Sequence, residues 1–260
     1  MMSAEGRSSI QVIDRMMKLL DVLAAHRDPV ALKQLAHLTG LHPSSAHRIL
    51  SVMVDKGVVD KLEPGTYRLG LKLLQLGSLV RSRLDIRREA LPFMQQLHQD
   101  LGETVNLSLR QGDEVVYVER SASSRAMMRV VQIVGARAPL HITAVGKIFL
   151  ADAGDQEAKA YARRSGLAAY TKTTLTSEKA LLEELAKVRR RGYALDNEEA
   201  EKGVSCIGAG IRDADGTLIA GLSISAPSER FDRSWAQKVK AAADAISAAL
   251  GYRETEASAR

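Results

Sequence analysis

The chain is short of cysteine and of long apolar runs, and each shortage closes off a class of protein. Its only cysteine, Cys206, has no intramolecular partner, so no disulfide framework stands in for a hydrophobic core. One thiol and six histidines without paired helical spacing point to no metal site, and no motif calls for a cofactor. No apolar run approaches the roughly 18 residues that a membrane span needs. Met1–Arg7 lacks the apolar stretch of an export leader, so a cytoplasmic protein without a membrane partner is expected. There is no internal repeat, and the polar residues 253–260 read as a disordered tail.

What the chain does have is ordinary globular composition and unevenly placed charge. With 260 residues, 45% of them hydrophobic, there is material for about two domains with separate cores. Residues 1–83 hold 12 Lys and Arg against 7 Asp and Glu, which accounts for five of the six net positive charges. A polyanionic partner for the N-terminal third is the physical implication.

The residue pattern in that third agrees. Val12, Met16, Leu19, Leu20 and Leu23 mark an amphipathic helix, and a short second helix over Leu32, Leu35 and Ala36 stops at Thr39-Gly40. Pro43 suits the first turn of a third helix. Ala46, Ile49, Leu50, Met53 and Val54 then lay one face of it on a core, leaving Ser44, Ser45, His47, Arg48 and Ser51 outward. Hydroxyls and an arginine at an exposed helix start are what a major-groove reader of double-stranded DNA needs. Two short strands around Glu63-Pro64-Gly65 follow as a wing, with Lys61, Thr66 and Arg68 as its candidate DNA contacts. From Leu71 to Leu84, apolar residues cover more than one side of a helix, so a connecting helix that also meets a second protomer is expected.

The remainder alternates strands and helices, an α+β pattern. Strands are expected at 105–109, 114–119, 127–131, 207–211 and 218–226, and helices ending at Gly102, over 146–151, ending at Gly192 and over 235–250. In the strand 218–226, Ser223 and Ser225 share one face and Ala220, Leu222, Ile224 and Ala226 the other. Two hydroxyls there meet solvent or line a polar pocket. Cys206 alone reads as a small buried hydrophobe, and Asp196-Asn197-Glu198-Glu199 as a solvated acidic loop. Small residues at 143–147 precede a helix, whose first N–H groups either receive a cap or hold an anion.

Taken together, Tyr67-Arg68-Leu69-Gly70, Pro139 to Lys147, Arg191 to Glu199, Gly203 to Ile207 and Leu222 to Ser225 resemble the IclR family of bacterial transcriptional regulators, over about residues 10–252. The resemblance implies a winged helix-turn-helix domain (1–69), a linker helix (70–90) and a GAF-like effector-binding domain (91–252), assembled as homodimers or homotetramers on promoter palindromes. It also implies an effector pocket using the backbone N–H groups of Ala144 and Val145 and the side chains of Asp196, Cys206, Ser223 and Ser225. Met127, Met128 and Leu140 are the expected apolar wall. Two residues depart from the pattern: Gly210 stands where relatives often have proline, and Pro43 where many have a basic residue. Serine hydroxyls and free N–H groups favour a small organic acid, and an ionised Asp196 would repel it unless met by a hydroxyl or water. An enzyme using Cys206 is the competing class. Only His98 and His141 follow the winged segment, and neither is local to the thiol, so no catalytic activity is expected. A scaffold using the winged helix for protein contact is the third reading.

Overall fold

A computed structural model describes residues 4–81, 85–121 and 134–253. The strand expected at 127–131, with Met127 and Met128, lies outside them. The chain divides into two units between residues 84 and 85.

The first unit runs α1 (Ala4–Ala25), β1 (Val30–Ala31), α2 (Leu32–Thr39), α3 (Pro43–Asp55), β2 (Val59–Leu62), β3 (Thr66–Leu69) and α4 (Leu71–Arg81). Leu19, Leu35, Leu50, Met53, Val59 and Tyr67 form its core, drawn from all three leading helices and the hairpin. Gly40 closes α2 in the left-handed conformation, its N–H donated to the Ala36 and His37 carbonyls. The hairpin is as expected, but β1 adds a third strand by pairing Val30 with Tyr67. A two-residue strand is too short to leave an alternation in the sequence. Helix α4 runs through Gly77 and leaves Leu71, Leu74, Leu76 and Leu79 exposed.

The second unit begins with α5 (Ile86–Leu101), which starts within the segment 70–90. Asp85 caps it by accepting the Arg87 N–H at 3.0 Å, and Gly102 ends it. Then come β4 (Thr104–Gln111), β5 (Glu114–Ser121), β6 (Arg137–Pro139), α6 (Ala144–Ser165), α7 (Glu178–Arg191), β7 (Ala194–Asn197), β8 (Val204–Arg212), β9 (Leu218–Pro227) and α8 (Trp235–Ala249). The strands pair antiparallel in the order β6-β5-β4-β9-β8-β7. Because side chains alternate across a strand, Val105, Leu107, Ile207, Ile211, Leu222 and Ile224 all fall on one face. They pack with Met94 and Leu97 of α5 and Val239 and Ile246 of α8. Helices α6 and α7 form a second apolar cluster with Val115 and Tyr117 of β5 and Cys206 of β8. The result is an α+β unit with β9 inside the sheet, so its serines are not on a solvent-facing edge.

Helix α6 is longer than the expected 146–151 and is broken at Gly154 (φ 87°, ψ 170°). Its first turn is seated on backbone. A Cβ at Gly146 would stand 2.1 Å from the Leu140 carbonyl oxygen, and one at Gly221 would stand 2.3 Å from Val145 Cγ1. Such contacts force the backbone apart. Gly221→Ala is therefore expected to destabilise by about 1 to 3 kcal/mol through overpacking. Gly77→Ala, placed in a helix with nothing within 4 Å, should stabilise by about 0.5 to 1 kcal/mol. Urea unfolding of both variants checks this; equal effects would contradict the seating of α6.

Candidate functional site

The sheet face turned toward α6 carries a buried polar row. Register places Asp196 opposite Cys206, Cys206 opposite Ser225 and Ser225 opposite Thr104, so four strands contribute neighbours. Ser223 and Asn106 lie opposite each other one step along. All six side chains are buried. A polar row inside a sheet otherwise packed with Val, Leu and Ile is costly unless its groups are bonded or a ligand uses them. Part of it is bonded: Ser225 Oγ accepts from Asn106 Nδ2 at 3.2 Å and from the Cys206 thiol at 3.2 Å.

A cavity of about 380 Å³ opens beside this row, at the low end of the range for small-molecule sites. Asp196, Cys206 and Ser223 line it together with Thr143, Ala144 and Val145 from the start of α6. Thr143 caps that helix, its Oγ1 accepting the Gly146 N–H at 3.0 Å, and Lys147 N–H closes on the Thr143 carbonyl at 3.0 Å. Ala144 and Val145 precede the first intrahelical bond, so their N–H groups belong to the unsatisfied end that favours anions. Ile142, Pro139, Val204 and the rings of Tyr117 and Tyr170 supply the apolar wall, and Arg137, Glu114 and Glu201 the charged residues.

Behind the cavity lies an ion pair that neither spacing nor motif announced. Lys147 Nζ donates to both oxygens of Glu199, at 2.6 and 2.7 Å, with both residues buried. The turn that carries Glu199 has Glu198 at φ 59° and is held by three hydroxyls. Thr171 and Thr173 donate to the Glu198 carbonyl at 2.7 and 2.9 Å, and Thr174 to that of Glu199 at 2.7 Å. Asp196 accepts the Glu199 N–H at 2.7 Å. Burial, reinforced by Glu199 and opposed by Lys147, pushes the Asp196 carboxyl up to about 7. The expectation of a solvated acidic loop fails here, since Asp196 and Glu199 are 2% and 4% exposed. An ionised Asp196 is likewise not the dominant form below neutrality.

Burial also pushes the Cys206 thiol well above its ordinary range. That is the reverse of an activated nucleophile. The nitrogens of His141 are engaged elsewhere. Nε2 donates to the Ala168 carbonyl at 3.0 Å, and Nδ1 accepts from Tyr161 at 2.7 Å, the tautomer following from these partners. Desolvation lowers the pKa of this imidazole.

Of the residues expected at the pocket, Ala144, Val145, Asp196, Cys206 and Ser223 meet around one cavity. Ser225 stands behind its wall, bonded to Asn106 and Cys206. Leu140 is fully buried beneath Gly146 rather than on the wall. Tyr117, Tyr170, Lys147, Glu199 and Asn106 were missed. The alternation Thr104-Val105-Asn106-Leu107-Ser108 carried the signal for Asn106, because its polar members share the pocket face.

In the first unit, α3 exposes Ser44, His47, Arg48 and Ser51, while Ser45 is half-buried and Ala46, Ile49, Leu50 and Met53 are buried. His42 caps this helix and bonds Ser44 Oγ at 2.8 Å. On the hairpin, Lys61 and Arg68 are exposed and Thr66 is half-buried. Arg68 pairs across the strands with Asp60 at 3.3 Å, whereas Arg48 and Lys61 have no carboxylate partner among the described residues.

Two family models match this chain: the IclR helix-turn-helix domain over residues 12–63 and the bacterial transcriptional regulator IclR C-terminal domain over residues 79–248. The chain belongs to the IclR family. IclR-family relatives are transcriptional regulators, among them XynR of Escherichia coli, 34% identical over 94% of this chain and 98% of the relative. KdgR of the same organism is 34% identical over 95% of each chain. Among solved structures, the Agobacterium tumefaciens repressor BlcR superposes with a TM-score of 0.83, at 31% identity over 94% of this chain and 99% of its own. An IclR homolog from Microbacterium hydrocarbonoxydans, complexed with 4-hydroxybenzoate, has a TM-score of 0.60 and 27% identity, covering 92% of this chain and 98% of that one. This IclR-family chain is thus a DNA-binding transcriptional regulator with a helix-turn-helix domain and an α+β C-terminal domain. No helix among the described residues is long and apolar enough to cross a membrane.

Proposed function

We propose that the protein is a homo-oligomeric regulator acting in the cytoplasm, whose operator affinity is set by a small organic acid held in the cavity beneath α6. The observation that carries this reading is the convergence of a free helix start, Ser223, Cys206 and Asp196 on one small, partly apolar cavity. A carboxylate is the anion that suits two backbone N–H groups and a hydroxyl. The 4-hydroxybenzoate bound by the Microbacterium homolog is an acid of this kind. The effector acts through its different affinity for the DNA-competent and DNA-incompetent states, so ligand contacts and DNA contacts are separable by mutation.

In the DNA-binding domain, α3 is the reading helix: Ser44, Ser45, His47, Arg48 and Ser51 face the major groove, and Lys61, Thr66 and Arg68 meet phosphate from the hairpin. Arg48→Ala should weaken binding to the protein's own operator by about 1 to 3 kcal/mol without loss of fold. Unchanged affinity in a folded variant would rule α3 out as the reader.

Ser223 is the direct donor to the effector and Ser225 holds Cys206 and Asn106 in place. A hydroxyl bonded to a charged group is worth about 1.5 to 3 kcal/mol, so Ser223→Ala should lower effector affinity at least tenfold. Operator binding without ligand should stay near wild type. Calorimetric titration with 4-hydroxybenzoate and short hydroxy and oxo acids, alongside operator binding, makes the comparison. Joint loss of folding and DNA binding would make the serine structural.

Association involves the apolar side of α4, where Leu71 and Leu74 are 70% and 66% exposed. A two-fold dimer presents two reading helices to palindromic half-sites. Sedimentation at micromolar concentration should show no dominant monomer, and Leu71→Glu with Leu74→Glu should shift the population toward one. A monomeric wild type that still binds its operator tightly contradicts this.

A further inference from the structure

Among the described residues, the buried charges around the cavity do not balance. Two carboxylates, Asp196 and Glu199, share one ammonium, and both short contacts of Lys147 Nζ go to Glu199. Asp196 is left with the Glu199 and Ala200 N–H groups, the Cys206 thiol and the cavity. The titratable groups that face it are Lys147 on α6, Glu199 on the turn after β7, Cys206 on β8 and Tyr117 on β5. His141 lies near Lys147 and Glu199. Farther around the cavity stand Glu114, Glu201 and Arg137. Arg137 bonds Glu114 at 3.2 Å and also Gln111, so the one lining arginine among the described residues is already occupied.

We propose that Asp196 works in this cavity as a neutral carboxylic acid, donating its proton in a hydrogen bond to the ligand, and that the site thereby selects monocarboxylates with an uncharged remainder. The inference rests on the reading of the cavity as the effector site. With Asp196 ionised, an arriving carboxylate meets Asp196, Glu114 and Glu201 against Arg137 alone among the described lining residues. With Asp196 protonated, its O–H joins Ser223 and the Ala144 and Val145 N–H groups as a donor. A second carboxylate on the ligand would find no unoccupied cation among the described lining residues.

Glu199 is a positioning residue in this arrangement. By taking both short contacts of Lys147, it keeps that ammonium from bonding Asp196 directly, so Lys147 lowers the Asp196 carboxyl only through its charge. The elevated Asp196 carboxyl, near 7, sets the direction of the pH effect. Monocarboxylate affinity is level below that pH and falls as the acid form is lost above it, by up to about tenfold per pH unit.

The test uses the full chain with two probes of matched shape, benzoate and isophthalate, at about pH 6 and about pH 9, on either side of neutrality. Infrared difference spectra of wild type against Asp196→Asn read the protonated carboxyl without any ligand, and calorimetry reads binding. The expected result is a protonated band at the lower pH that is lost at the higher, with benzoate affinity at least tenfold weaker at the higher pH. Isophthalate should bind at least tenfold more weakly than benzoate. Asp196→Asn, whose amide still donates, should bind benzoate more tightly than wild type at the higher pH and show no pH dependence. Glu199→Gln should lose benzoate affinity at the lower pH, because Lys147 is released toward Asp196. Absence of the band together with pH-independent benzoate binding overturns the donor role and leaves the effector site standing. A protonated band without saturable binding of benzoate overturns the proposal by removing the site it rests on.

Discussion

The C-terminal unit depends on how closely the first turn of α6 approaches the backbone around it. Gly146 lies against the Leu140 carbonyl and Gly221 against the Val145 side chain, at separations that no Cβ would permit. That approach places Ala144 and Val145 over the polar row of the sheet. It also fixes where Lys147 falls, one turn along, fully buried and able to reach only what the neighbouring turn presents. The helix start, the cavity and the ion pair are therefore consequences of one packing contact.

The Lys147–Glu199 pair is the second consequence. Burying an ion pair carries a desolvation cost that the attraction between its members often only offsets, so the pair is poor evidence of added stability. Its geometric effect is clearer. It ties the start of α6 to the turn after β7, and the hydroxyls of Thr171, Thr173 and Thr174 hold the same turn by donating to its carbonyls. A turn containing a non-glycine residue at positive φ, Glu198, needs such support.

Much of the architecture could be read in the residues because its signals are local. The 3.6-residue spacing of Ala46, Ile49, Leu50 and Met53 defines the buried side of α3, and Gly40, Gly102 and Gly192 end their helices where expected. Signals that depend on distant partners were weaker. Asp196 and Glu199 look like a solvated loop until Lys147, about fifty residues earlier, is placed against them. Ser225 looked equivalent to Ser223 by alternation, yet cross-strand bonds to Asn106 and Cys206 remove it from the cavity wall. Leu140 resembled a wall residue by sequence position, and only the Gly146 contact shows that it lies beneath the helix. The strand β1 was invisible because two residues carry no period. The family resemblance located five lining residues that the residue pattern alone left open, which is what a motif adds when the partners are far apart in the chain.

The position of Cys206 has an experimental consequence. It is the only thiol in the chain, it is 7% exposed, and it forms part of the cavity lining. A small alkylating reagent must therefore reach it from within the cavity or wait for the sheet to open. Its modification rate would serve as a built-in occupancy meter, slowed by any molecule that fills the space, and would require no introduced label.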